Sequence, residues 1–458
     1  MTRTQAVLAV LACCFAVQVG VLQADFHASD PGVRLGPVGA GGIIDGLLTP
    51  GQQEVFTVGR ADFMALDTLR SGLGPRFNLD SCAGCHAAPA VGGTSPAVNP
   101  QVAVAKAFGA KNVVPFFVKL DGPVREARFK YNPDGTPDGG VHALFVISGR
   151  NDGTADASAC NIKQDNFQGQ AQKGNVVFRI PTPVFGAGLI ESIPDSAIIN
   201  NLTATANGKA GLGIGGRPNR FRVTGSTNNN GNDGTISRFG WKAQNKSLLI
   251  FSGEAYNVEQ GITNELFTQE RDETPSCQFA TVPNDVTDPD AAPVAEGLSG
   301  PEKFAGFMRF LAPPTPSTGL ASAASVANGK QLFQRIGCAY CHTPTLYTGN
   351  TTVAALRRKP VNLYSDLALH AMGPGLADDI SQAEARGDEF RSAPLWGLGQ
   401  RIFFLHDGRT KDLVAAIQAH KSAGNNKYQA SEANAVVDNF FQMTEGQKQD
   451  VLNFLRSL

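Results

Sequence analysis

Two Cys-x-x-Cys-His motifs, Cys82-Ala-Gly-Cys85-His86 and Cys338-Ala-Tyr-Cys341-His342, constrain this 458-residue chain more than any other feature. With eight cysteines and seven histidines, random placement gives about 0.002 such motifs per chain, so two are not accidental. Two cysteines three apart, with histidine next, present two thiols and an imidazole from one helical turn. A covalently attached haem needs those groups: thiols to add across its two vinyls, and an imidazole on one face of the iron. A shared tetrahedral zinc would want the cysteine pairs close together, and they lie about 250 residues apart. A redox-active Cys-x-x-Cys requires no following histidine, and no βαβ pattern surrounds either motif. The expectation is two covalently attached haem c groups, held by Cys82, Cys85, Cys338 and Cys341, with His86 and His342 as iron ligands.

The N-terminus reads as an export signal over residues 1–24. Arg3 is the only early charge, an apolar stretch runs from Ala6 to Leu22, and Ala24 before Asp25 is the cleavage point. An uncleaved anchor, or a lipoprotein signal using Cys13 or Cys14, is a weaker reading. No later stretch is long and apolar enough to span a bilayer, so a periplasmic location without a stable membrane span is expected. A formal net charge of −1 gives no footprint for nucleic acid or an anionic membrane surface. Cys160 and Cys277 remain as an even pair in an oxidising compartment, where a disulfide is the better reading and two free buried thiols the other.

The length suggests at least two domains. From Ser325 the chain reads as a small cytochrome unit. A helix over 326–336 runs into the second motif, and a closing helix starts at a Thr444–Gln447 capping box with a Val451, Phe454, Leu455, Leu458 stripe. Leu413, Ala416, Ile417 and His420 share one helix face, so His420 points into the core. A buried imidazole wants a partner, and the nearby haem makes His420 the candidate sixth ligand. His406 suits a hydrogen-bonding role better. His370 and Met372 remain open as ligands.

The first half is rich in Gly and Pro, with short β-like runs at 141–148, 175–180 and 247–251 and a polar loop at 226–234. The Pro-, Asp- and Ala-rich stretch 281–301 reads as part of a linker. A short repeat ties the halves together: Phe178-Arg-Ile-Pro-Thr-Pro-Val-Phe-Gly-Ala-Gly resembles Phe390-Arg-Ser-Ala-Pro-Leu-Trp-Gly-Leu-Gly. Each copy follows its own haem motif, which points to duplication of a one-haem unit. The second copy continues into His406 and His420; the first continues into Glu191 without a histidine. Between His86 and the linker the only histidine is His142. Haem 1 therefore either borrows His142 or keeps an open iron face. With an open face, Glu191 is the candidate catalytic acid/base group beside it. Gly211-Leu-Gly-Ile-Gly-Gly matches a dinucleotide fingerprint only literally and reads as a turn. Trp241 and Trp396 are candidates for relaying electrons between haems.

The expected fold is mainly α. It has two cytochrome c-like haem domains, the N-terminal one (40–280) enlarged by loop-rich and short β insertions, then a linker (281–318) and a C-terminal domain (319–458). Several stretches together resemble the bacterial di-haem oxidoreductase family of peroxidase-like proteins, sometimes labelled thiol oxidoreductases. They include Gly-Leu-Gly-Pro-Arg-Phe-Asn-Leu-Asp-Ser-Cys-Ala-Gly-Cys-His (72–86), Gly-Ala-Gly-Leu-Ile-Glu-Ser-Ile-Pro (186–194), Arg-Phe-Gly-Trp-Lys-Ala-Gln (238–244), Ala-Pro-Leu-Trp-Gly-Leu-Gly (393–399) and Leu-His-Asp-Gly-Arg (405–409). The chain is similar, more distantly, to di-haem cytochrome c peroxidases. In those enzymes a methionine fourteen positions beyond the His-Asp-Gly histidine ligates the electron-transfer haem; here that position is His420. The resemblance thus implies a bis-His, lower-potential C-terminal haem. The peroxidases also carry a distal histidine soon after the first motif, and residues 87–141 contain none. The resemblance implies that a periplasmic donor of cytochrome or cupredoxin type feeds the C-terminal haem. That haem passes electrons to the N-terminal one, which reduces a small oxidant such as peroxide. A non-enzymatic di-haem electron carrier and an oxygenase or protein-modifying oxidase are the alternatives.

Overall fold

The computed structural model describes residues 27–35, 38–220, 236–317, 319 and 321–458. The expected signal and the polar loop at 226–234 lie outside these residues. The chain is 33% helical and 11% strand, so the mainly-α expectation holds. The strands make short antiparallel ladders. In the largest, Glu126–Phe129 lies between Val141–His142 and Val176–Arg179. Among the described residues no helix is long and apolar enough to cross a membrane.

Seven helices position the two motifs: α1 (Pro50–Met64), α2 (Ala187–Glu191), α3 (Leu248–Gln260), α4 (Gly300–Phe310), α5 (Ala323–Arg335), α6 (Leu413–Ala419) and α7 (Glu445–Ser457). Capping boxes start α1, α4 and α7, where Thr49, Ser299 and Thr444 each exchange bonds with a Gln or Glu three residues on. Helix α1 precedes the first motif and packs against α4; α5 precedes the second and packs against α7.

The two crossings are alike in detail. A Cβ on Gly59 of α1 would lie 2.1 Å from the Lys303 carbonyl oxygen, and one on Gly329 of α5 would lie 1.9 Å from that of Asp450. Four residues beyond each carbonyl stands a phenylalanine, Phe307 or Phe454, against the same glycine. Six residues beyond each, the carbonyls of Arg309 and Arg456 meet Gly188 and Gly399 just as closely. Gly186 and Gly397, paired by the sequence repeat, both adopt left-handed φ (63° and 73°) immediately before a helical turn.

Two boundaries differ from the sequence reading. The expected linker 281–318 contains α4, whose Phe304, Phe307, Met308 and Phe310 are buried in the largest apolar core. Pro301 sits in the first turn, where it starts a helix rather than separating domains. Residues 247–251, expected as β-like, open α3. The Ser247 hydroxyl accepts from the Ile250 amide, and Leu248, Ser252, Tyr256 and Gln260 bury one face at a spacing of four. The largest core joins Phe185 and Phe304 with Leu346, Leu363 and Trp396, so both halves of the chain contribute to it. Cys160 and Cys277 form a disulfide.

Candidate functional site: two cavities beside the cysteine–histidine motifs

Each motif closes a tight turn. The His86 amide donates to the Cys82 carbonyl at 3.0 Å and the His342 amide to that of Cys338 at 2.9 Å. Both imidazoles are oriented by the chain just beyond. His86 Nδ1 meets the Gly93 carbonyl at 3.0 Å, and His342 Nδ1 meets that of Tyr364 at 3.1 Å. A carbonyl can only accept, so Nδ1 carries the proton in both rings and Nε2 keeps the lone pair that a metal needs. Burial lowers both pKa values to about 4 and keeps the rings neutral.

One cavity adjoins Cys82, Cys85 and His86; another adjoins Cys338, Cys341 and His342. The second is walled mostly by apolar side chains, including Phe333, Phe404, Val436 and Leu455. His420 lies in this wall, with Nδ1 donating to the Ala416 carbonyl at 2.7 Å, so its Nε2 is also the free-lone-pair nitrogen. Two buried guanidiniums, Arg391 and Arg401, line the same cavity. They donate to backbone carbonyls and, among the described residues, have no carboxylate partner. Burial lowers both to about 10. Unpaired buried cations ask for an anion.

The first cavity is different. It carries Glu126, Glu254, Glu259, Arg125, Arg128 and Arg179, and His86 is its only histidine. Glu259 is pushed well above the usual carboxylate range by burial, then by the charge of Glu126 and a hydrogen bond to it. Burial also acts on Glu126, but Arg128 and the bond from Glu259 hold Glu126 below its ordinary value. Glu259 is thus the proton-bearing member. Asn78 Nδ2 donates to its Oε2 at 2.7 Å.

Trp241 lines both cavities. Its Nε1 donates to the Ile180 carbonyl at 2.8 Å, and the Ile180 amide donates to the His406 carbonyl at 2.8 Å. The His406 ring faces the second cavity, edge-on to Trp241 and stacked on Phe390 at 4.3 Å. The partition is therefore one aromatic layer stitched by one residue's backbone. The hydrogen-bonding expected of the His406 side chain is replaced by stacking.

Three expected residues stand elsewhere. Glu191 is fully buried away from the first cavity; its Oε1 accepts from the Leu248 amide at 3.0 Å and its Oε2 from Arg309 Nε at 2.9 Å. Both oxygens are committed to starting α3 and holding α4, which corrects the acid/base reading. His142 is bonded by Asp165 and Asp138 through its two nitrogens, at 2.7 and 2.8 Å, and stacks on Phe129 outside the cavity. Trp396 is buried in the shared core against Gly186 and lines neither cavity. Conversely, two carboxylates that the sequence does not single out, Glu126 and Glu259, line the first cavity. The signal for the first was available: Glu126 and Arg128 are opposite charges on one face of an otherwise apolar strand.

The donor set fits two haem groups. Each cavity offers two unpaired thiols on one turn and a neutral, oriented imidazole, and each has arginine for the propionates. Residues 124–458, well over half of the chain, match the model of a family described as "Di-haem oxidoreductase, putative peroxidase". The chain belongs to the di-haem oxidoreductase family. That family binds two haems. No curated protein sequence matches this di-haem oxidoreductase. Among solved structures it is similar to a MauG-like protein associated with microbial copper homeostasis, at 20% identity and TM-score 0.24, over 34% of this chain and 52% of that one. It is also similar to the diheme peroxidase BthA from Burkholderia thailandensis, at 14% identity and TM-score 0.27, over 48% and 65%. A third is the hydrazine synthase of Kuenenia stuttgartiensis, at 14% identity and TM-score 0.23, over 36% and 56%. Each likeness spans less than two thirds of the other chain.

Proposed function

We propose that this di-haem oxidoreductase is an exported c-type enzyme that reduces peroxide at its N-terminal haem, with electrons entering at its C-terminal haem. Cys82 and Cys85 tether the first haem and Cys338 and Cys341 the second, through thioether bonds. His86 is the protein ligand of the first iron, and His342 and His420 are those of the second. The observation that carries the reading is this asymmetry: the first cavity is lined by one histidine, His86, and the second by four, of which His370 has both ring nitrogens on carboxylates while His342 and His420 each hold Nδ1 on a backbone carbonyl and keep Nε2 for a metal. A site with one protein ligand leaves room for a small oxidant; a site with two suits electron transfer. When bound, haem supplies the one-electron redox chemistry.

Reduction of peroxide to water consumes two electrons and two protons. Glu259 holds a proton at the wall of the first cavity, and Glu126 receives its hydrogen bond. The pair therefore serves as the acid/base group in place of Glu191. Trp241 lines both cavities, which supports it as the relay for electrons between them. The donor is a small periplasmic redox protein of cytochrome or cupredoxin type. The Cys160–Cys277 disulfide supports an oxidising compartment, as does the apolar N-terminal stretch.

The test is ligand binding to the purified holoprotein. Cyanide on the ferric form and carbon monoxide on the ferrous form should each bind one haem per chain, with peroxidase turnover of a reduced cytochrome. Two low-spin irons that bind neither ligand would reduce the protein to an electron carrier.

A further inference from the structure

We infer that the N-terminal arm, residues 27–34, is a strap that positions His420 for the second haem, with Asp30 as its clasp. The arm precedes the first motif in sequence, yet it lies on the wall of the second cavity. The Ala28 amide donates to Glu445 at 2.7 Å, Ser29 to Gln449 at 3.0 Å and Arg34 to the Gly399 carbonyl at 2.7 Å. Ala28 packs against the apolar core around that cavity.

Asp30 does more than pin the arm. Its carboxylate receives Arg456 Nε and Nη2, each at 2.7 Å, in a two-pronged pair whose side chains are 1% (Arg456) and 6% (Asp30) exposed. The remaining Arg456 nitrogen donates to the Arg401 carbonyl at 2.9 Å, and Arg401 lines the cavity. Asp30 also accepts the Gly32 amide at 2.9 Å and the Leu413 amide at 2.9 Å. Leu413 is the first residue of α6, and His420 follows its last. Just before α6, Asp412 accepts the Ala415 amide and caps the same turn. One carboxylate thus ties the start of the His420 helix to the closing helix α7. The helix is only seven residues long, too short to hold its own position.

Losing the clasp leaves a buried guanidinium without its counter-charge and frees the first turn of α6. The imidazole at the other end then loses its fixed aim. Asp30 is a positioning residue: it touches neither cofactor nor substrate.

The inference rests on His420 being the second ligand of that iron, and the experiment separates the two claims. Holoprotein of the full chain is compared as wild type, Asp30→Ala, Asp30→Asn and His420→Ala, reading carbon monoxide stoichiometry, ferric spectrum and melting temperature. His420→Ala should raise binding from one to two ligands per chain. Asp30→Ala should accelerate binding at the second haem by about tenfold or more, equivalent to about 1.4 kcal/mol on the barrier, and introduce a high-spin ferric fraction. Asp30→Asn keeps the shape, so it should fold even if Asp30→Ala does not, and should shift both readings in the same direction. If His420→Ala gains the second ligand while both Asp30 variants only melt earlier, the strap is structural and the inference fails. If His420→Ala gains nothing, the ligand assignment fails and takes the strap with it.

Discussion

Glu126 and Glu259, 133 positions apart in sequence, hydrogen-bond to each other through their carboxyl groups at the wall of the first cavity. Two carboxyls so close cannot both be charged, and Arg128 beside Glu126 decides which one keeps the proton.

Glu259→Gln preserves the shape and the bonds to Asn78 and Glu126 but has no proton to release. Turnover with peroxide should fall by about 10²–10⁴-fold, the usual contribution of an acid/base group. The haem spectrum and melting temperature should stay close to wild type. Steady-state kinetics beside a spectrum decides it; unchanged turnover would remove Glu259 from the chemistry.

The glycine crossings predict sharp position dependence along the helices. Gly329→Ala drives a Cβ into the Asp450 carbonyl, so α5 and α7 must part; a cost of about 1–3 kcal/mol is expected. Gly59→Ala should behave alike at the α1–α4 crossing. Gly51→Ala and Gly446→Ala, in α1 and α7, meet nothing within 4 Å and should be neutral or stabilising by about 0.5–1 kcal/mol. Chemical denaturation of the four variants checks the contrast.

The Cys160–Cys277 bridge closes a separation of 117 residues and crosses no haem motif. Replacing both cysteines by serine should cost about 2–5 kcal/mol, mostly by freeing the unfolded chain. The haem absorption spectrum should be unaltered, because neither cavity is lined by these cysteines.

Stability should peak in mildly acidic solution. Asp378 and Asp379 are held below their ordinary values; burial opposes this, but Arg179 and Lys242 outweigh it for the first, and Lys130 and Lys427 for the second. The folded state then binds fewer protons than the unfolded one, and their contribution is lost as pH falls below about 4. Burial raises Asp67 and Glu270 to about 7 and Asp285 to about 6. For these the folded state binds more protons, so stability falls as pH rises from about 4 through about 7. Melting temperature against pH should therefore show a maximum between those limits, and Asp67→Asn should flatten the side above it.

The family, the haem motifs and the His420 face were legible because each rests on short-range spacing. A turn of helix puts residues three and four apart on one side whatever surrounds it. The repeat was legible for the same reason, since Gly186 and Gly397 each mark a left-handed turn that most residues resist. Helix α4 is hidden in the sequence because proline starts a helix as readily as it ends one, and the buried phenylalanines that decide the matter follow it.

Sequence by itself determined where two thiols and an imidazole would converge, and that this happens twice. Only the tertiary structure decided which carboxylates face a cavity and which are consumed: Glu191 ends on Arg309 and the Leu248 amide, while Glu126 and Glu259 meet. It likewise brought Asp30 to Arg456 across almost the whole chain. A side chain's chemistry is local, but its charge state and availability depend on the partners and burial that packing assigns, and those partners lie far away in sequence.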